Sequence, residues 1–373
     1  MSLRRRLFIA FGVIAMSTAA LGFVALTAPS LGAAPAGDRL ERMATSSRFE
    51  DGKFQNLVPT ATVKLSDTWA MIKAYATNDA EVEPSVELPV LTPDDLRPIG
   101  DDRLRITWMG HSSMLIEIDG RLLLTDPVWG PRASPFSFSG PARFHPTPVA
   151  LKDLPPLDAV VISHDHYDHL DYPSILELAD SDVPFIVPLG LGAHLEAWGI
   201  AAERITELDW WEEADVAGLR LVSTPARHFS GRGFERDRTL WSSWAFIGEH
   251  HRAWFSGDTG PAPFFDEIGE RLGPFDATMI EVGAWNALWG EIHLGPDAAI
   301  KVHEQVRGKT FIPVHWGTFN LALHAWDEPI VRLQQLADAH DFTLAAPVVG
   351  GTIDPDDAVV DDFWKGRLAL AQR

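Results

Sequence analysis

The sequence predicts an α/β fold in which two β-sheets pack together with helices on their outer faces. Three observations carry this reading. Hairpin-like strands run from residue 104 to 124. A short β-branched run at residues 158–163 has the apolar character of a strand buried on both faces. Later strands are interspersed with segments of helical spacing.

Each element has its own signal. Residues 104–108 and 113–118 read as strands, and Asp119-Gly120 is a two-residue hairpin signal leading into 121–124. Residues 173–178 and 191–198 read as short helices, with 184–188 extended between them. Further strands are expected at 219–223, 243–247, 253–256, 277–281 and 310–314. Residues 296–306 and 329–339 have helical spacing with Pro near the first turn. No second compositional regime appears after residue 103, so 103–373 is expected to form one catalytic domain. Residues 38–102 are expected to be a linker and N-terminal extension.

Composition narrows the function. The chain has 373 residues, 46% of them hydrophobic, enough for a sizeable core. Its net charge of −21 repels polyanions, which excludes nucleic acid as the expected partner. There are no cysteines, so any transition-metal site must use His and carboxylate ligands. Fourteen histidines are more than a core usually needs. Nothing in the sequence speaks to oligomeric state.

Residues 1–37 read as an address. Arg4, Arg5 and Arg6 precede an uncharged stretch whose most apolar part, 7–28, is long enough to cross a bilayer of about 30 Å. A retained anchor is one reading. A signal peptide cleaved near Ala34-Pro35-Ala36 is the other, and Arg5-Arg6-Leu7-Phe8-Ile9 resembles a twin-arginine signal. Either places the catalytic domain across, or anchored in, a bacterial inner membrane and facing the periplasm or exterior.

The chemistry concentrates in Ser163-His164-Asp165-His166-Tyr167-Asp168-His169-Leu170-Asp171, directly after the buried strand. Three imidazoles and a carboxylate within six residues cannot all bind one ion without strain, but split across a turn they can serve two. His228, Asp258 and His315 each follow an apolar strand. Any one of them alone would be read as a packed core residue. Their joint placement at strand ends makes them metal-ligand candidates.

This order of motifs resembles the metallo-β-lactamase superfamily across about residues 103–330. The local wording is closest to the phospholipase D-like branch that hydrolyses N-acylphosphatidylethanolamine. The matching pieces include Trp108-Met109-Gly110-His111-Ser112, Thr125-Asp126-Pro127-Val128-Trp129, Gly257-Asp258-Thr259-Gly260, His293-Leu294-Gly295-Pro296 and His315-Trp316-Gly317-Thr318-Phe319. The resemblance implies a four-layer αβ/βα sandwich. It implies two zinc ions, the first on His164, His166 and His228, the second on Asp168, His169 and His315, with Asp258 bridging. Asp126 would support the metal loop. Two departures stand out: Asp165 where that branch often has Asn, and the N-terminal address.

The expected reaction is hydrolysis by a hydroxide held between two metals, with Asp168 and Asp258 in the catalytic centre. The metals alone do not choose the bond. The resemblance implies a phosphodiesterase acting on a phospholipid, while a lactonase or other carbonyl-ester hydrolase is the alternative on the same site. A nuclease and a non-catalytic zinc-binding protein are less favoured. His111, His293 and His324 are the candidates for substrate contact. His293 is also read as catalytic, because it sits just before a helix N-terminus where an anionic group is welcome. Phe136, Phe138, Phe144, Trp285, Trp289 and Trp326 are candidates for an acyl-chain groove. His145, His194, His250, His251, His303 and His340 are read as surface or packing residues.

Overall fold

Most strands in this chain are apolar on both faces, and such strands need a covering on each side. The computed structural model describes residues 27–61, 68–233, 235–337, 339–340 and 342–365. A small hairpin comes first, β1 (Phe49–Glu50) and β2 (Lys53–Phe54). Then follow β3 (Leu104–Gly110), β4 (Ser113–Ile118), β5 (Arg121–Thr125), β6 (Ala159–Val161), β7 (Phe185–Pro188) and β8 (Ile205–Leu208). The second half supplies β9 (Glu213–Val216), β10 (Leu219–Thr224), β11 (Ser243–Ile247), β12 (Arg252–Phe255), β13 (Phe275–Glu281) and β14 (Gly308–Val314). Two short strands, β15 (Thr343–Leu344) and β16 (Thr352–Ile353), close the sheet edges.

These strands make two seven-stranded mixed sheets, in the orders β16-β3-β4-β5-β6-β7-β8 and β15-β14-β13-β12-β11-β10-β9. The β4–β5 turn has Asp119 and Gly120 at φ 47° and 75°, as a two-residue hairpin of this twist requires. Trp108, Ile116 and Val161 of one sheet meet Leu221, Trp244 and Phe246 of the other in the central core. The outer face of the first sheet, with Leu124, Val160 and Phe185, is covered by helices Tyr172–Ala179 and Gly192–Ala197. Helices Phe265–Leu272, Gly295–Gln305 and Glu328–Ala337 cover the second sheet through Phe265, Ile300 and Ile330. The architecture is the αβ/βα sandwich.

Residues 38–60, read from the sequence as a linker, are folded onto this sandwich. In helix Asp38–Ala44, Arg39 pairs with Glu207 at 2.6 Å and Glu196 at 2.7 Å. Met43 and Phe54 are buried with Trp210 and Trp241. The attachment begins earlier still. The Pro29 carbonyl accepts from the Trp198 indole at 2.7 Å. The Ser30 carbonyl accepts two bonds from the buried Arg232 guanidinium, at 2.8 and 2.9 Å. Ala33 N–H donates to His194 Nδ1 at 3.1 Å. His194 and Arg232 are therefore anchors for the N-terminal segment.

The membrane address is corrected. Among the described residues no helix is long and apolar enough to cross a membrane. Residues 1–26, which carry most of the expected span, lie outside the described residues. Pro29–Leu31, at the end of that span and before the expected cleavage point, forms a 3-10 turn held by the contacts above. An anchored or exported chain is not supported.

A chain beginning at residue 38 will be less stable than one beginning at residue 27, because the buried Arg232 guanidinium loses the Ser30 carbonyl and both bonds it accepts. The expected difference in denaturant unfolding is about 2–3 kcal/mol. Equal midpoints and slopes for the two chains would show that residues 27–37 contribute nothing.

Candidate metal centre

Strand register brings the chemistry to one rim of the sandwich. Thr125 pairs with Val161, Thr224 with Ser243, Trp244 with Phe255 and Glu281 with Val314. The segments that leave these strand ends carry Asp126, residues 163–171, His228, Asp258 and His315. The turn between β3 and β4 adds His111 from the same side. The backbone is strained here, with Asp126, His111 and His315 at φ 36°, 54° and 63°, in the left-handed region that non-glycine residues rarely adopt.

The donor atoms of the seven candidates fall into two groups that both approach Asp258, and a further set, Asp258, Glu281, His293 and His315, also brings its donor atoms within 4.8 Å of one another. In the first, His164 Nε2 and His228 Nε2 lie 2.8 and 3.2 Å from His166 Nδ1, and 3.8 and 3.6 Å from Asp258 Oδ2. In the second, His169 Nε2 and His315 Nε2 lie 3.4 and 3.1 Å from Asp168 Oδ2. The same two nitrogens lie 3.2 Å from Asp258 Oδ1 and 3.1 Å from Asp258 Oδ2 respectively. All seven ligand candidates from the sequence meet here.

These residues fit divalent ions. His169 Nε2 and Asp258 Oδ1 are buried and 3.2 Å apart, yet neither has a hydrogen-bond partner. Two donor atoms this close without a hydrogen bond between them are what a shared cation would satisfy. The opposite ring nitrogens of His169, His228 and His164 are held from behind. His169 Nδ1 donates to Asp126 Oδ2 at 2.7 Å, and His228 Nδ1 donates to the Ile292 carbonyl at 2.9 Å. His164 Nδ1 is 2.9 Å from Ser163 Oγ, which itself donates to Asp126 Oδ2 at 2.6 Å. Such bonds fix the tautomer and leave the forward lone pair free for a metal.

Charge tells the same story. Burial, reinforced by neighbouring imidazoles, holds His164 well below the usual histidine range. Burial also holds His228 well below it, against the pull of Asp258. For His169, burial is outweighed by Asp258, Asp168 and Asp126, which together raise it well above that range. His315 is likewise pushed up to about 10 despite burial, mainly by Asp258 and Asp168. Asp168 and Asp258 stay well below the carboxylate range because the imidazolium charges of His169 and its neighbours overcome burial. The rim thus demands positive charge, which protons supply in the metal-free chain and which a metal would take over with proton release.

The other candidates are distributed unevenly. His293 lines the cleft in front of the two groups, its Nδ1 donating to Glu281 Oε2 at 2.7 Å. Glu281 is fully buried and also accepts from Thr259 N–H and Leu294 N–H. The helix start expected to welcome a substrate anion already faces this carboxylate of the chain's own. His111 and His324 do not line the cleft. His111 is buried within the second group, its donor atom within 4.8 Å of those of Asp168, His169 and His315 and its Nε2 3.0 Å from Asp168 Oδ2, and burial together with His315 lowers it to about 3. His324 stacks on Trp285, ring centroids 4.1 Å apart, beside a separate small cavity.

The cleft itself has a cavity of about 430 Å³. Of the expected groove aromatics, Trp289 alone lines it; Phe136 and Phe138 stack on each other, and Trp326 is buried beside the small cavity. The remaining apolar wall comes from Phe54, Val58, Phe229, Ile292 and Leu321. Sequence reasoning missed Glu281 and the wall from residues 54–61. Glu281 carried a usable signal, an acidic residue closing an apolar strand. Residues 54–61 carried none.

Comparison with known proteins decides the family. The beta-lactamase superfamily domain is matched over residues 121–316. The chain belongs to the metallo-β-lactamase superfamily. It is a metal-dependent hydrolase of that superfamily. It is 46% identical over 321 residues to an uncharacterized protein of Mycobacterium tuberculosis, covering 83% of this chain and 85% of that protein. It is 40% identical over 270 residues to the N-acyl-phosphatidylethanolamine-hydrolyzing phospholipase D 1 of Caenorhabditis elegans, covering 68% of this chain and 75% of the other. Among solved structures, Igni18, a metallo hydrolase of Ignicoccus hospitalis, shares the fold at a TM-score of 0.53 and 21% identity, over 67% of this chain and 97% of its own.

Asp126 is the residue through which the metal-loop geometry can be tested. Asp126→Asn keeps the shape but replaces one carboxylate oxygen with an amide nitrogen, losing acceptor capacity toward Ser163 and His169. Metal affinity measured by chelator competition is expected to fall about 10- to 100-fold. Wild-type affinity in this variant would remove Asp126 from the support of the loop.

Proposed function

We propose that the chain is a dinuclear zinc phosphodiesterase that cleaves an N-acylphosphatidylethanolamine-like phospholipid in the manner of a phospholipase D. The observation that carries this reading is the pairing of two sets of ligand candidates that both approach Asp258 with an apolar-walled cleft lined by members of each. The similarity to the Caenorhabditis elegans enzyme supports the choice of bond and substrate class.

His164, His166 and His228 would hold one zinc, and Asp168, His169 and His315 the other, with Asp258 shared between them. His/Asp ligation of this kind suits zinc. When bound, two such ions supply a water that loses a proton near neutral pH and a clamp for the charge of a phosphodiester. The protein supplies the rest. His293, held at Nδ1 by Glu281 and lining the cleft, would offer its Nε2 as a polar contact for the scissile group. Phe54, Val58, Trp289, Ile292 and Leu321 offer apolar surface for acyl chains and exclude water from the reacting groups.

The direct test is metal analysis of the purified chain together with a lipid phosphodiesterase assay. About two zinc per chain are expected, with release of phosphatidic acid from N-acylphosphatidylethanolamine. Asp258→Ala is expected to lose metal and turnover together, because one residue serves both groups. An active wild type holding a single ion would overturn the dinuclear reading, and hydrolysis of lactones but no phosphodiester would overturn the substrate reading.

His293 separates substrate contact from metal binding. His293→Ala is expected to retain both ions and to lose about 2–4 kcal/mol of transition-state stabilisation, as removal of one positioned polar group commonly does. Loss of metal in that variant would make His293 a ligand. Unchanged kcat/KM would make it a bystander.

A further inference from the structure

His228 leaves the sheet before it reaches the metal rim. Strand β10 ends at Thr224 and its partner β11 begins at Ser243, so the backbone of His228 has no strand neighbour. A ligand carried on unpaired backbone would move with it. The chain solves this with a residue from far upstream. Asn56 Nδ2 donates to the His228 carbonyl at 2.7 Å, and Asn56 Oδ1 accepts from His228 N–H at 3.1 Å. One side-chain amide thus supplies both bonds that a neighbouring strand would have made. The amide is fixed in its turn by the Trp241 indole, which donates to Oδ1 at 3.2 Å.

The segment carrying Asn56 is pinned on its far side as well. Arg227, next to His228, donates to Thr60 Oγ1 at 3.0 Å and to the Pro59 carbonyl at 2.6 Å. Ala61 N–H donates to the Glu291 carboxylate, which pairs with Arg227 at 3.0 Å. Residue 56 lies outside the matched span of 121–316. The superfamily domain alone does not contain this support.

We propose that Asn56 is a positioning residue for the metal centre: its amide clamps the His228 backbone and thereby aims Nε2 at the ion shared with His164 and His166. The inference rests on the reading of His228 as a ligand and needs no particular substrate. Its consequence is selective. Loss of the clamp loosens the ion of the first group and spares the ion held by Asp168, His169 and His315.

Zinc titration of the full chain against a chromophoric chelator reads both ions separately, and cobalt absorption reports the geometry of each. Asn56→Ala is expected to weaken one ion about 10- to 100-fold while the other stays within about twofold. Asn56→Asp keeps the acceptor but turns a second acceptor toward the His228 carbonyl, so it is expected to show the same selective loss in a side chain of nearly the same shape. That variant also serves if the alanine chain does not fold. A structural role alone predicts a different pattern, equal weakening of both ions with a matching fall in the stability of the zinc-free chain, and that pattern overturns the proposal. So does wild-type affinity at both ions. A wild type that binds only one ion is recognised before any variant is made, and it overturns the ligand reading and this inference with it.

Discussion

Burying Asp126 and Asp258, with Asp168 largely covered, beside six imidazoles at one rim is tolerable only if positive charge sits among them. An isolated buried carboxylate costs several kcal/mol, and three close together repel one another. The fold accepts this because the surrounding dipoles are already arranged. Ser163 N–H and Oγ both donate to Asp126, Ser163 and Asp126 back the imidazoles of His164 and His169, and the Ile292 carbonyl backs His228. The left-handed backbone at His111, Asp126 and His315 is part of the same arrangement. Strain of this kind persists only where the surroundings over-determine the geometry, and here two packed sheets do so.

That constraint explains why so much of the chain converges on one edge. The ligand candidates come from the ends of β6, β10, β12 and β14, and the residues that back them from β5 and β13. No single element could present donors in two groups a few ångströms apart, whereas two sheets sharing a rim can. Arg232 extends the network outward. Its buried guanidinium donates to the Asp165 and Leu170 carbonyls, bracketing the metal loop, and to Ser30 in the N-terminal segment. The position of the metal loop is therefore coupled to residues more than a hundred positions earlier.

The fold was legible in the sequence wherever burial was periodic. The β4–β5 hairpin, β6, β11 and the helix Gly295–Gln305 were readable from alternation, apolar runs and Pro in the first turn. β8 and β9 were not, because Ile205–Leu208 and Glu213–Val216 carry polar residues and exist through pairing with their neighbours. Helix Phe265–Leu272 was hidden by Gly269, which reads as a breaker. Its role is close approach, since a Cβ there would lie 2.1 Å from the Gln305 carbonyl oxygen. The metal-ligand candidates stood out because imidazoles and carboxylates closing apolar strands have no bland use in such number. Asn56 could not stand out. Its bonds are to backbone groups of a residue distant in sequence, and a polar stretch with Gly and Asn looks like a linker until the partner is in place.

This division of sources bears on selectivity. The matched domain contributes the rim of a metal-dependent hydrolase, and a rim of this kind does not by itself choose the bond. What is held depends on the walls, and part of the apolar wall comes from residues 54–61, outside that domain. Binding energy from parts of a substrate that do not react is what fixes the reacting group in place. Two chains with the same rim and different preceding segments would therefore share a reaction and differ in substrate. In this chain the same segment also reaches the His228 backbone through Asn56, so a change that reshapes the wall also disturbs a candidate metal ligand. Substrate choice and metal geometry are constrained together.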